Sequence, residues 1–135
     1  MLHNFIAWLA VIFAFLVIDA IWLGYLARDF YQRHLGALIR EDILFGVAGL
    51  FYVLYTVSVV VFVVIPAQKS GSLAQAILLG AFLGLVAYGT YDLTNLATLK
   101  GWSVTASVVD MAWGTFLTAT ISSVGYLVLN WMKST

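Results

Sequence analysis

Three aspartates stand inside stretches whose other side chains are almost all apolar. Asp19, Asp92 and Asp110 each lie within a long run of aliphatic and aromatic residues, and none of the six basic residues falls inside those runs. An ionised aspartate near the middle of a bilayer costs at least about 2.5 kcal/mol on insertion scales. Three such groups without a basic partner are not expected to stay ionised together. The cluster is therefore predicted to hold protons, a cation or a hydrogen-bonded polar ligand.

Motifs for other kinds of chemistry are missing. No phosphate loop, HExxH motif or serine elbow occurs, and the absence of cysteine excludes thiolate nucleophiles and ligands. His3 and His34 are expected at opposite membrane faces, so no metal site and no cofactor is predicted. Paired aspartates could serve as acid and base, but no nucleophile or oxyanion site stands beside them. The residues favour binding over catalysis.

Helices that cross a membrane must position these acids. The chain has 135 residues, of which 64% are hydrophobic and 9% charged, far from the composition of soluble domains. Crossing a bilayer takes roughly 20 helical residues, and four windows satisfy that length: residues 5–26, 44–65, 73–99 and 104–131. None shows the alternation of barrel strands. The prediction is an all-α integral membrane four-helix bundle, a single transmembrane domain over residues 1–135 with short loops.

Residues 27–42 form the longest connection. Its arginines alternate with apolar residues that include Phe30, Tyr31 and Leu35, so it is predicted to lie on the membrane as a short interfacial helix. Pro66 is predicted to end the second span. Small residues at Gly80 and Gly84 of the third span, and others continuing from Gly114 in the fourth, predict close helix packing.

The helical rise of about 1.5 Å per residue indicates how deep each acid lies. Asp19 and Asp92 each precede a loop by eight residues, which places them about 12 Å below the face shared by loops one and three. Asp110 follows the start of the fourth span by six residues, about 9 Å below that face. Tyr52 of the second span falls at a similar depth, so each span contributes a polar group to one layer.

Neighbouring residues extend this layer into a candidate site. In the stretch YGTYDLTNL, Tyr88, Asp92 and Asn95 share one helical face. Trp22 and Trp113 each follow an acid by three residues and lie one turn away on its face. The predicted ligand-binding residues are Asp19, Trp22, Tyr52, Tyr55, Tyr88, Asp92, Asn95, Asp110 and Trp113. The alternative is a closed polar core in which the carboxyls bond to tyrosines, threonines and indoles of other helices.

Several stretches resemble a known family. DAIWLGYLARDFYQRHLG, YGTYDLTNLATLKGW and VVDMAWGTFLTA are similar to the small bacterial membrane proteins catalogued as domain of unknown function 2177. The resemblance implies a four-helix protein of this size in a bacterial inner membrane, and no established activity. Four basic residues flank loops one and three against two on the other face, so those loops are predicted to be cytoplasmic and both termini outside.

The leading functional prediction is binding or transport of a small polar-headed, cationic or lipid-like ligand, coupled to protonation. The alternatives are a membrane-embedded enzyme that modifies a lipid or isoprenoid, and a structural subunit of a membrane complex. The expected partners are membrane lipids, such a ligand and a second copy of the chain in a homodimer. A formal net charge of zero argues against nucleic acid.

Overall fold

Four long helices make up most of the chain. The computed structural model describes residues 1–135, and all of its regular elements are helical. The first span is Leu2–Leu26, the second Phe45–Ser70, the third Leu73–Thr98 and the fourth Val104–Ser134. Each is long and apolar enough to cross a membrane. The prediction of an all-α, multi-pass membrane bundle is confirmed.

Short turns make neighbouring spans antiparallel. Gly71 and Gly101 have φ of 66° and 75°, a backbone conformation that glycine adopts without strain. Ser72 and Ser103 then cap the third and fourth spans by accepting hydrogen bonds from backbone N–H groups three residues ahead. One end of the bundle, the loop end, therefore carries the connections after the first and third spans. The other, the terminal end, carries both termini.

The fourth span lies at the centre of the bundle and contacts the other three. In its most apolar window 44% of residues are buried, against 22% in the first span. The main core around it includes Phe15, Val59, Leu117 and Ile121. Because lipid tails are as apolar as these side chains, the bundle is held by close van der Waals packing more than by the hydrophobic effect.

Small residues join the third and fourth spans. A Cβ atom on Gly80 would overlap the side chain of Ser122, and one on Gly84 would overlap the carbonyl of Gly114. The ring of Tyr88 fills the space beside Gly114. The predicted small-residue packing is confirmed, and it brings Tyr88 across onto the fourth span.

The second span does not end at Pro66, as the sequence predicted. The helix widens into a π turn over Val60–Val64 and continues through Ile65–Ser70, with Pro66 in the first turn of that last segment. Proline normally breaks a helix because it lacks an N–H and its ring collides with a carbonyl of the preceding turn. A π turn immediately before it shifts those carbonyls, so the helix continues.

The loop-end half of the second span stands apart from the third span. No residue from Phe45 to Leu54 is buried, whereas Tyr55, Val59 and Val63 further along are. The second span approaches the third mainly through its π turn and the segment after it. A gap therefore separates these two spans at the loop end and closes towards the terminal end.

A short helix, Arg28–Leu35, follows the first span, and a 3₁₀ turn at Gly36–Leu38 continues it. This surface helix packs against the fourth span and the last turn of the first. The predicted short helix is present. Packing against the fourth span turns the Tyr31 hydroxyl inward to Asp110, and the interfacial position of the helix stays a prediction.

Candidate ligand-binding site

Asp19 is held by two donors from different spans. It is 7% exposed, and its two carboxyl oxygens accept hydrogen bonds from the Tyr52 hydroxyl at 3.0 Å and from the Trp113 indole at 3.3 Å. Both donors are neutral. The carboxyl is thus fixed in position by hydrogen bonds, and no basic side chain compensates its charge.

Two parallel indoles lie beside Asp19. The rings of Trp22 and Trp113 stack with their centroids 4.2 Å apart and an interplanar angle of 7°. The Trp113 N–H is fixed by Asp19, and the Trp22 N–H donates to the Tyr31 hydroxyl at 3.2 Å. Each indole is therefore anchored at its nitrogen, which gives the first and fourth spans a rigid aromatic wall.

Tyr31 links the surface helix to the second carboxyl. Its hydroxyl donates to Asp110 at 2.8 Å while it accepts from Trp22. Burial raises the pKa of the Tyr31 hydroxyl well above its ordinary value, and the nearby charge of Asp110 raises it further. The phenol therefore keeps its proton and acts as a donor throughout the neutral range.

Asp92 and Asp110 form a pair of carboxyls. Asp92 is 2% exposed and lies close to the Asp110 carboxyl, with which it lines the outer side of the site. Its Oδ2 atom is buried without a hydrogen-bond partner. Two carboxyls so close satisfy each other only when a proton lies between them, since two full negative charges repel.

A cavity of about 340 Å³ opens between the acids and the aromatic rings. All four spans and the surface helix contribute to this inner cavity, and no lysine or arginine does. Its lining consists of Asp19, Trp22, Leu23, Tyr31, Phe51, Ala87, Tyr88, Tyr91, Asp110 and Trp113. The volume falls within the range of about 300–1,000 Å³ that is usual for small-molecule sites.

A wider cleft of about 940 Å³ lies under the surface helix and the loop that follows it. This outer cleft shares Leu23, Tyr31, Tyr91 and Asp110 with the inner cavity and adds Asp92. Its rim carries charged residues, namely Arg28, Arg40 and Glu41. The hydrogen bond from Tyr31 to Asp110 therefore stands where the polar cleft meets the aromatic cavity.

A family model described as "Predicted membrane protein (DUF2177)" matches residues 4–127. The chain belongs to this family. The matched range includes every residue of the inner cavity and the outer cleft. No curated protein and no solved structure matches the chain.

In this DUF2177 protein, five of the nine predicted site residues line the inner cavity: Asp19, Trp22, Tyr88, Asp110 and Trp113. Tyr52 reaches the site through its bond to Asp19, and Asp92 lines the outer cleft. Tyr55 does not line the cavity, and its hydroxyl is hydrogen-bonded to the Thr118 hydroxyl at 2.6 Å. Asn95 is half-buried and lines neither space.

The three acids do not meet in a single chamber. Asp19 faces the inner cavity, Asp92 faces the outer cleft, and Asp110 lines both. The closed-core alternative accounts for Asp19, whose carboxyl oxygens both accept bonds from other spans, but it leaves Asp92 Oδ2 without a partner. The structure's single ion pair joins Arg40 to Asp42 in the loop.

The sequence prediction missed several lining residues, of which Tyr31 matters most. The sequence pattern groups Tyr31 with the apolar residues of an interfacial helix, and nothing in the periodicity of that helix shows that it folds back over the fourth span. Phe51, Ala87 and Tyr91 also line the cavity. Tyr91 lies on the flank of the predicted face of this helix, and a wider face around Tyr88 includes both Tyr91 and Ala87.

Proposed function

We propose that this protein binds an amphipathic ligand with a cationic, amine-type head in the inner cavity. One observation carries the proposal: two carboxyls face a cavity of ligand size that is walled by aromatic rings and contains no basic side chain. An amine head supplies the positive charge that the cavity lacks.

The surrounding rings suit the same ligand. A cation over the face of an aromatic ring is attracted by the ring quadrupole, most strongly by tryptophan, and desolvated cases reach about 2 kcal/mol. The inner cavity holds two tryptophans, three tyrosines and a phenylalanine beside its acids. An anionic ligand would be repelled by the carboxyls, and a neutral one would leave them without a counter-charge.

Binding is proposed to displace a proton. Asp110 belongs to the inner cavity and also to the carboxyl pair with Asp92. A cation beside Asp110 takes the role of the shared proton, so the proton can leave through the outer cleft, which Asp92 also lines. Affinity for a permanently charged ammonium should therefore increase as the pH rises.

Binding to protein in lipid nanodiscs tests the proposal. The probe is a dodecyltrimethylammonium ion, and its matched control is an uncharged analogue in which carbon replaces nitrogen. We expect binding of the ammonium alone, weakened about ten- to hundredfold in Asp19→Asn, as loss of a charged contact produces. Asp29→Asn, on the surface helix, is the control variant. Equal binding of both probes would contradict the proposal.

Transport is a further step of the same proposal. We place the protein in a bacterial inner membrane as a homodimer. The distribution of basic residues favours an orientation with the loop end in the cytoplasm and both termini outside. Cysteine substitution at Lys133 and Lys100, followed by labelling of intact cells with an impermeant reagent, tests the orientation. We expect labelling at residue 133 and none at 100; the reverse would contradict it.

The carboxyl pair favours a second candidate, a lipid-modifying enzyme. A buried carboxyl with an unpartnered oxygen beside a second carboxyl can act as acid and base on a bound lipid. Lipid extracts of cells with the wild-type gene, the Asp92→Asn gene and no gene separate this candidate from pure binding. A lipid species present only with the wild-type gene supports catalysis, and three identical profiles count against it.

A further inference from the structure

The inner cavity is closed on most of its sides. Between the first and fourth spans, Trp22 stacks on Trp113. Between the first and second, the Tyr52 hydroxyl bonds to Asp19 and its ring packs edge-on against Phe15 at 4.9 Å. These contacts close the cavity at these points along the helices.

The third and fourth spans and both ends of the cavity are closed as well. Tyr88 packs directly against Gly114. Towards the terminal end, where the buried core begins, the rings of Tyr55 and Tyr88 meet edge-on with their centroids 6.3 Å apart. Towards the loop end, the hydrogen bond between Tyr31 and Asp110 crosses the boundary with the outer cleft.

The cavity opens between the loop-end halves of the second and third spans. Phe51 from the second span and Ala87 and Tyr91 from the third line the cavity there. Phe51 is 47% exposed and Tyr91 54% exposed, although both belong to the cavity wall. This opening, the portal, faces sideways out of the bundle and therefore towards the hydrocarbon of the membrane.

We infer that the hydrocarbon tail of the ligand passes through this portal, so that the protein takes a long-chain amine directly from the bilayer. The inference rests on the proposed function and adds the class of ligand and its route. Charge complementarity sets the direction: the acids lie at the inner end of the passage, and uncharged side chains line its mouth. The head therefore points inward and the tail outward.

The outer cleft is unsuited to the tail. Its rim carries Arg28, Arg40 and Glu41, which a hydrocarbon chain would have to desolvate. Exposed apolar residues continue outward from the portal on both of its sides, including Leu50 and Leu54 on the second span and Val86 on the third. A tail leaving the portal therefore meets exposed apolar side chains and lipid.

Photolabelling of the protein in nanodiscs tests the route. The probe is a long-chain primary amine with a diazirine in the middle of its tail, and the control probe is the alcohol of the same length. Labelled peptides are assigned by mass spectrometry. We expect amine-specific adducts on the portal residues Phe51, Ala87 and Tyr91, with about tenfold less labelling in Asp19→Asn.

The outcomes separate the route from the function. Amine-specific, Asp19-dependent adducts on Gln32 or Ile39 of the outer cleft would overturn the portal while leaving the proposed function intact. Adducts that are equal for the amine and the alcohol, or unchanged in Asp19→Asn, would overturn both. Adducts at the portal that depend on the amine and on Asp19 support both.

Discussion

The two ends of the bundle are built differently. At the terminal end, small and branched residues interlock: Val11 and Val64 pack against Gly125, and Ser122 and the Thr118 carbonyl pack against Gly80. At the loop end, aromatic rings and acids surround two open spaces, and half of the second span stands apart. The same four helices are thus close-packed at one end and open at the other.

This contrast shows how so small a membrane protein can carry acids within its spans. Buried acids and cavities destabilise a bundle, because charges are desolvated and packing contacts are lost. Close helix approach at the terminal end supplies the packing that the loop end lacks. Stability is expected to depend mainly on the terminal end, and binding mainly on the loop end.

The largest expected effect breaks the close-packed end. A Cβ atom on Gly80 would meet Ser122 and the carbonyl of Thr118, so Gly80→Ala must push the third and fourth spans apart. We expect a loss of about 1–3 kcal/mol, the usual cost of overpacking, seen as a lower melting temperature in detergent. Gly49→Ala is the control, because a Cβ there meets nothing within 4 Å. Equal melting temperatures for the two variants would refute this division of roles.

The next effect concerns the open end. Asp110→Asn removes the acid that belongs to both the inner cavity and the carboxyl pair. We expect ammonium binding to weaken about ten- to hundredfold and its pH dependence to disappear, because the shared proton is gone. Calorimetry in two buffers of different ionisation enthalpy measures the proton released. Proton release equal to that of the wild type would contradict the role given to Asp110.

A smaller effect is expected at Tyr31. Folding raises the pKa of the Tyr31 hydroxyl above about 10, the ordinary value for tyrosine. The protonated hydroxyl therefore contributes its full stabilisation below about pH 10, and this stabilisation is lost as the pH rises through the folded-state pKa. The melting temperature of the wild type should therefore fall more steeply above pH 10 than that of Tyr31→Phe. Tyr25→Phe, at a residue that is 82% exposed, serves as the control. Parallel curves for wild type and Tyr31→Phe would show that the buried hydroxyl does not titrate as proposed.

The smallest effect is expected at Asn95. Asn95 shares a helical face with Asp92 but lines neither the inner cavity nor the outer cleft. Asn95→Ala should leave ammonium affinity unchanged in the nanodisc assay. A tenfold loss of ammonium affinity, about 1.4 kcal/mol, would show that Asn95 belongs to the site, as the sequence predicted, and would contradict its position outside both spaces.

The positions of the three aspartates show what the sequence can predict here. Apolar runs identify four helices, and a fixed rise per residue puts Asp19, Asp92 and Asp110 at similar depths. Depth does not determine which acids face one another, because that depends on how each helix is rotated and packed. Asp19 and Asp92 consequently line different spaces.

Tertiary packing accounts for the remaining differences. Tyr31 reaches Asp110 only because the surface helix folds back on the fourth span, a contact between residues 79 positions apart. Pro66 is accommodated by a π turn that its neighbours give no local reason to expect. The small-residue packing was predictable because it requires only a spacing of four on two helices.

The tryptophans provide the most direct test of the central claim. The chain has five, and in a protein with ¹⁵N-labelled indoles each gives one N–H signal. Trp22 and Trp113 line the inner cavity, while Trp8 bonds to Thr56 at the terminal end and Trp131 is exposed. Titration with dodecyltrimethylammonium should shift the signals of Trp22 and Trp113, leave that of Trp8 in place, and shift none of these in Asp19→Asn. Trp102 bonds to Ser107 outside the inner cavity. Shifts confined to Trp131 and Trp102, with the stacked pair unchanged, would contradict a cation site between the acids and the indoles.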